Sequence, residues 1–384
     1  MPFYRTMGSI PRKRHIAHRK PDGGVYQEQL MGNFGFTGPA SLLYHIHPPS
    51  AVLHCDHMRH WIYEEEEHPH LRMRHLRTAP LHAGGSPVMG RVPLFFNNDC
   101  AICYSKPTDN DEYFYRNGMQ DEYVYVASGE GVLETQFGDL PFGKDDQLII
   151  PQGILHRYRF SSDDVQLLIV ESNSYLRTPK RYRNEYGQII EGAPFSERDF
   201  HGPAALKTHD EKGEFEIRVR QRGGLTRVVL DHHPLDVVGW DGFYYPWKFN
   251  FNDFEPITGT IHQPPPIHQI LQADGFVVCN FAPRPFDFHP EAIPAPYFHS
   301  NVMSDEVLFY CSDEFMSRKG IEWGSLTLHP DGIPHGPHPG RYEGSIGQKF
   351  TDEKAVMVDT FRPLKLAKPA LEIEDKHYWK SWTE

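Results

Sequence analysis

Two imidazoles and a carboxylate fall in an order that could hold a metal ion. His299 lies in Pro296-Tyr297-Phe298-His299-Ser300-Asn301, the acidic pair Asp305-Glu306 follows, and His335 comes after a Pro330-Asp331-Gly332 turn. Two histidines and one carboxylate on one face of an ion leave three neighbouring positions open, the ligand set of mononuclear non-haem Fe(II) centres. Open positions let an organic molecule and O2 meet on the same ion, which a closed four-ligand zinc site forbids. The carboxylate has two candidates. Strict strand alternation favours Asp305, six residues from His299. A turn at Met303-Ser304-Asp305 would release that constraint and favour Glu306.

The pattern occurs twice. Asp121-Glu122-Tyr123-Val124-Tyr125-Val126 precedes Pro151-Gln152-Gly153-Ile154-Leu155-His156, just as Asp305-Glu306-Val307-Leu308-Phe309-Tyr310 precedes Pro330-Asp331-Gly332-Ile333-Pro334-His335. A Pro/Gly turn alone is ordinary, but the ordered combination repeated signals a duplicated β-barrel and aligns Glu306 with Glu122. The first copy has no upstream histidine, with Gly118 standing at the place of His299. Glu122 and His156 cannot hold a metal tightly by themselves, so the first half is expected to be a metal-free scaffold with Glu122 paired to a nearby Arg.

The elements that would position these groups are short strands. Apolar or alternating runs at 123–126, 148–150, 165–170, 215–219, 226–229, 276–281, 307–310, 325–328 and 355–359 are separated by Gly, Pro, Asp or Asn, the spacing of an all-β barrel or sandwich. Composition agrees: of 384 residues 32 are Gly and 33 Pro, while aromatics reach 13%, which excludes a disordered chain. Helical character is confined to 196–209 and to a turn or two within 364–382. Linkers are expected at 178–183, 201–202 and 223–224, and the chain is divided into 1–200 and 201–384.

Other classes drop out. No run of about 18 apolar residues suits a transmembrane helix, and residues 1–15 lack the apolar stretch of a secretory signal. With 39 Lys+Arg against 51 Asp+Glu, the net charge of −12 argues against nucleic acid as the partner. Five scattered cysteines suit a reducing cytoplasm; Cys100 and Cys103 form a lone CxxC read as buried thiols. Among the 24 histidines, His45 and His47 beside Pro48-Pro49, and His54, His57 and His60, are read as a surface loop or subunit contact. A shared helix face binding zinc is the sharper alternative for the last three.

The duplicated motif resembles that of bicupins. Gly239-Trp240-Asp241-Gly242 through Asn250, His262-Gln263-Pro264 through Leu271, Tyr297-Phe298-His299-Ser300-Asn301, and Pro334-His335-Gly336-Pro337 resemble the homogentisate 1,2-dioxygenase family, as do Arg12-Lys13-Arg14-His15 and Gly35 through His45 near the start. The segments keep family order along nearly the whole chain. The resemblance implies two β-barrel (jelly-roll) cupin halves, the N-terminal one without metal and the C-terminal one carrying iron.

It further implies Fe(II) held by His299, Glu306 and His335, with homogentisate and O2 as substrates and ring-opened maleylacetoacetate, carrying both oxygen atoms, as product. His262 matches the family histidine that bonds the substrate hydroxyl and takes its proton, a task suited to imidazole; His268 is the fallback. His329 and Tyr297 are expected to line the substrate site, and Arg318 or Lys319 to anchor a carboxylate. A homo-oligomer, trimer or hexamer, is implied. The alternatives are a dioxygenase for another hydroxylated aromatic acid such as gentisate, a non-redox metal-dependent bicupin isomerase, and a non-catalytic ligand-binding bicupin.

Overall fold

The computed structural model describes residues 3–67, 70–221 and 223–383. Strands dominate, and among the described residues α-helix is confined to Arg341–Ser345. The helix expected over 196–209 is absent. A 3-10 turn at Glu197–Asp199 passes directly into the strand Phe200–His201, since Pro203 disfavours helical backbone at Gly202. The C-terminal expectation fits better, with 3-10 turns at Lys368–Ile373 and Tyr378–Lys380.

Both acidic-pair segments become central strands with the same neighbours. In an eight-stranded sheet, Asp121–Ser128 lies between Asp146–Ile150, which leads into the Pro151 turn, and Gln166–Ser172. In a six-stranded sheet, Glu306–Tyr310 lies between Ser325–His329, which leads into the Pro330 turn, and Ala355–Thr360. The glycine of each turn, Gly153 and Gly332, has φ of 83°, a left-handed conformation that glycine adopts without steric cost. Asp121 and Asp305 play one role twice. Asp121 accepts the amides of Gln152 and Leu176, and Asp305 those of Asp331 and Leu364. Each acid thereby ties its strand to the Pro-x-Gly turn.

Alternation sends Tyr125 and Phe309 to the faces that meet between the halves, their rings 5.9 Å apart edge-on. One apolar core includes Val124, Tyr125, Ile169, Val307, Phe309 and Val356. Because these strands are buried on both faces, they read as continuous apolar runs. Strands on both sides of residue 200 share sheets. Lys212–Gln221 pairs in parallel with Phe114–Asn117 in a seven-stranded sheet, and Arg74–Arg77 joins the six-stranded sheet of the second half. The glycines at 223 and 224, expected as a linker, lie where Lys212–Gln221 returns antiparallel into Gly224–His232. His54, His57 and His60 lie on an exposed edge strand, His54–His60, rather than on a loop or helix face.

The first barrel is filled. Tyr115, not Gly118, occupies the place of His299. It precedes Glu122 by seven residues, as His299 precedes Glu306, and pairs with His156 as His299 pairs with His335. On the ladder Glu122 faces Glu171, and the buried Arg91 guanidinium bonds both, at 3.1 and 2.8 Å. Arg220 joins Glu171 from the other side. Burial alone would raise the Glu122 pKa, yet Arg91 holds it below the usual carboxylate range. Replacing Arg91 with Met strips the cation from two buried carboxylates. The expected loss is about 3–5 kcal/mol of stability, read as a lower urea midpoint, and an unchanged midpoint would show the network to be dispensable.

Candidate metal centre

In the second barrel the same ladder position carries a different set of side chains. His299 and His335 exchange both backbone hydrogen bonds, each 2.9 Å, so their side chains project from one face of the pair. Between His299 and the next strand, Met303 has φ of 60°, a left-handed residue that breaks alternation and turns Glu306 inward. Asp305 instead spends its oxygens on the two backbone amides already described. One ligand atom from each of His299, Glu306 and His335 falls within a 4.8 Å span. Glu306 Oε2 lies 3.7 Å from His299 Nε2, and Oε1 lies 3.7 Å from His335 Nε2.

Hydrogen bonds fix the donors. His299 Nδ1–H donates to the Tyr297 carbonyl at 3.0 Å, which turns the lone pair of Nε2 toward Glu306. Both ring nitrogens of His335 are buried without a hydrogen-bond partner, an expensive state for a polar group that a metal bond would relieve. His329 lies on the neighbouring strand opposite Glu306, and its Nδ1–H donates to Oε1 at 2.6 Å. Burial would raise the Glu306 pKa, but the adjacent imidazoles of His299, His329 and His335 hold it well below the ordinary range. Burial and Arg318 push His329 down to about 3, so it is a neutral donor that orients the carboxylate.

Asp359 completes the ladder position. It faces Glu306 from Ala355–Thr360 just as Glu171 faces Glu122, but no arginine bridges the pair. Burial and the Glu306 charge push its pKa well above the usual range, and Oδ1 is buried without a partner. A protein cation fills this position in the first barrel; the second presents two imidazoles and room for an ion. The donor set fits a divalent metal with open positions.

A cavity of about 340 Å³ adjoins the site, enough for a small ligand. Its wall includes His262, His268, Tyr297, His299, Glu306 and Asp359. His262 and Tyr297 meet edge-on at 5.0 Å near the exposed rim, whereas His268 is buried and pushed by burial down to about 3. Arg318 is also on the wall but spends Nη1 on Ser317 and the Gly336 carbonyl, with Nη2 4.0 Å from Glu306. Lys319 reaches away to the Pro339 carbonyl. His329 sits behind Glu306. Sequence reading missed Arg284, a cavity cation bonded to the buried Glu353 at 2.7 Å, and Asp359, whose only signal was an acid closing an apolar strand. Cys100 and Cys103 are buried thiols with pKa values pushed up by burial.

These features define a two-barrel protein of the cupin kind whose second half carries a two-histidine, one-carboxylate centre. Residues 4–251 match the family described as homogentisate 1,2-dioxygenase N-terminal, and residues 249–384 match homogentisate 1,2-dioxygenase C-terminal. The chain belongs to the homogentisate 1,2-dioxygenase family. A protein of Saccharolobus solfataricus, provisionally named a dioxygenase, is 40% identical over 385 aligned positions, covering 100% of this chain and 99% of that one. Among solved structures, a cupin 2 conserved barrel domain protein from Leptotrichia buccalis is 8% identical with a TM-score of 0.35, over 74% of this chain and 95% of the other. The protein Ylba from E. coli is 8% identical with a TM-score of 0.36, over 76% and 92%.

Three substitutions separate the roles. Glu306→Gln is expected to abolish metal retention. Asp305→Asn should keep the metal while losing about 1–3 kcal/mol of stability. His329→Phe should weaken metal binding about 10–100-fold. Metal analysis after gel filtration checks all three, and loss of metal from Asp305→Asn in a folded protein would reverse the carboxylate assignment.

Proposed function

We propose that this chain is an Fe(II)-dependent ring-cleaving dioxygenase that converts homogentisate and O2 to maleylacetoacetate, with His299, Glu306 and His335 as the iron ligands. The observation that carries the reading is a buried carboxylate facing two imidazoles, one of them with no other partner, at the end of a cavity. Membership of the family supplies the substrate class. Bound Fe(II) would supply adjacent open positions and the electron density that lets O2 react with an electron-rich ring.

The chain's own groups then divide the work. Glu306 is charged and oriented by His329, and His299 by the Tyr297 carbonyl, so the ligands are aimed before a metal enters. His262, on the cavity wall beside Tyr297, is placed to take the proton of the substrate hydroxyl. His268, kept neutral by burial, can bond a hydroxyl but is too weak a base to hold its proton. Tyr297 gives the aromatic ring a flat wall. Arg284 and Arg318 are the cavity's cations for the substrate carboxylate. The family resemblance also supports self-association into trimers or hexamers, and exposed Phe288, Phe298, Val302 and Met303 near the centre offer apolar surface for it. Among the described residues no helix is long and apolar enough to cross a membrane, and with the scattered thiols this supports a cytoplasmic setting.

Oxygen uptake by anaerobically iron-loaded protein tests the reading. One O2 consumed per homogentisate, with an ultraviolet band from the ring-opened product, is expected. His262→Ala should retain iron and lose about 10²–10⁴-fold in kcat. Uptake with gentisate alone would move the substrate, and no uptake with either despite bound iron would overturn the proposal.

A further inference from the structure

A second group of two imidazoles and one carboxylate lies in the other half, away from the six-stranded sheet. His209, Glu211 and His233 place one ligand atom each within a 4.8 Å span. The backbone explains the convergence. His233 N–H donates to the Glu211 carbonyl at 2.9 Å, and His209 N–H to the Leu235 carbonyl at 3.0 Å. That antiparallel register continues the pairing of Lys212 with His232. Glu211 is therefore directly opposite His233, and His209, two residues before Glu211, shares their face.

The side chains are already in place. Phe114 and Phe215 hold the buried His233 ring edge-on at 5.2 and 4.9 Å, and His209 stacks on it at 3.9 Å with planes 19° apart. His209 Nδ1 lies 3.1 and 3.2 Å from the two Glu211 oxygens, close to the separation of neighbouring ligands around an ion with bonds of about 2.1 Å. Glu211 is exposed, so an ion can enter directly from solvent.

We propose that His209, Glu211 and His233 form a second cation site, selective for a borderline first-row dication such as Zn2+, that clamps the 209–211 segment onto the ribbon ending at His233. Imidazole and carboxylate donors suit such ions better than Mg2+ or Ca2+, which prefer oxygen alone. The ion is exchangeable. The Leu235 amide donates to His233 Nδ1 at 3.2 Å, and this bond is lost whichever ring nitrogen takes the metal: coordination at Nδ1 uses its lone pair, and coordination at Nε2 moves the proton to Nδ1. Uptake must overcome that loss, and the exposed carboxylate leaves the ion open to chelators.

Equilibrium dialysis of the iron-loaded protein against Zn2+, with iron and zinc both measured, tests this site apart from the catalytic one. The wild type should bind one zinc per chain with iron content unchanged, and EDTA should remove it. Glu211→Gln, at an exposed position, and His209→Ala, at a half-buried one, should bind zinc about ten-fold or more weakly while keeping iron and oxygen uptake. Zinc binding equal in the variants, no zinc bound, or zinc gained only as iron is lost would each overturn the proposal.

Discussion

Two acids stand opposite one another inside each barrel, and a buried pair of carboxylates cannot stay charged without a cation. Directly opposed like charges destabilise a sheet, and burial deepens the cost because water no longer screens them. The two halves answer this constraint differently. Around Glu122 and Glu171 the answer is ionic and comes from the chain itself: Arg91 bridges the pair, and Arg220 supplies the second positive charge. Around Glu306 and Asp359 no arginine bridges the two acids; Asp359 is driven toward its neutral form, and Glu306 keeps its charge beside three imidazoles. A dication at this point would do for the second pair what the guanidinium does for the first.

The constraint is met only if the ladder is held in register, which is the task of the residues just before the acids. Asp121 and Asp305 are buried and accept backbone amides from two separate segments apiece, so each strand is fastened both to its turn and to a later stretch of chain. A slip of one residue would send Glu306 to the apolar face shared with the other half and Val307 to the imidazoles. The adjacent acids are therefore not alternative ligands. One fixes the strand so that the other can face the site.

Much of this was legible in the sequence because it is local. The acidic pair, the apolar run and the Pro-x-Gly-x-x-His motif are short-range patterns, and their repetition exposed the duplicated barrel. Glu306 could be favoured over Asp305 because a turn at Met303 was foreseeable from the residues around it. What sequence could not show was long-range pairing. Arg91 reaches Glu122 and Glu171 from 31 and 80 residues away, and Asp359 meets Glu306 only through the sheet. Tyr115 was overlooked for Gly118 because the match was sought beside the acid, whereas the fold preserves the seven-residue interval. His209 and His233 drew no notice, being brought together by a hairpin whose register no local motif marks. His329 was expected on the cavity wall; cross-strand pairing puts it behind the carboxylate instead.

Why one barrel is a scaffold and the other a site follows from what fills the interior. In the first, Tyr115 and Tyr158 pack edge-on against His156 at 5.4 and 5.8 Å, and the buried guanidinium of Arg91 occupies the place between the two acids where an ion would otherwise sit. In the second, the position of Tyr115 is taken by the smaller His299, and the inward-facing cluster is a small one around Leu308, Tyr310, Phe315 and Met357. The space thus freed is the cavity. A phenol exchanged for an imidazole, and no arginine bridging the two acids, convert one backbone arrangement from a self-neutralised core into a charged pocket that fits a metal. The filled barrel in turn supplies the rigid apolar face, through Tyr125 against Phe309, on which the Glu306 strand rests. The emptiness of the second half is tolerable because the first half is full.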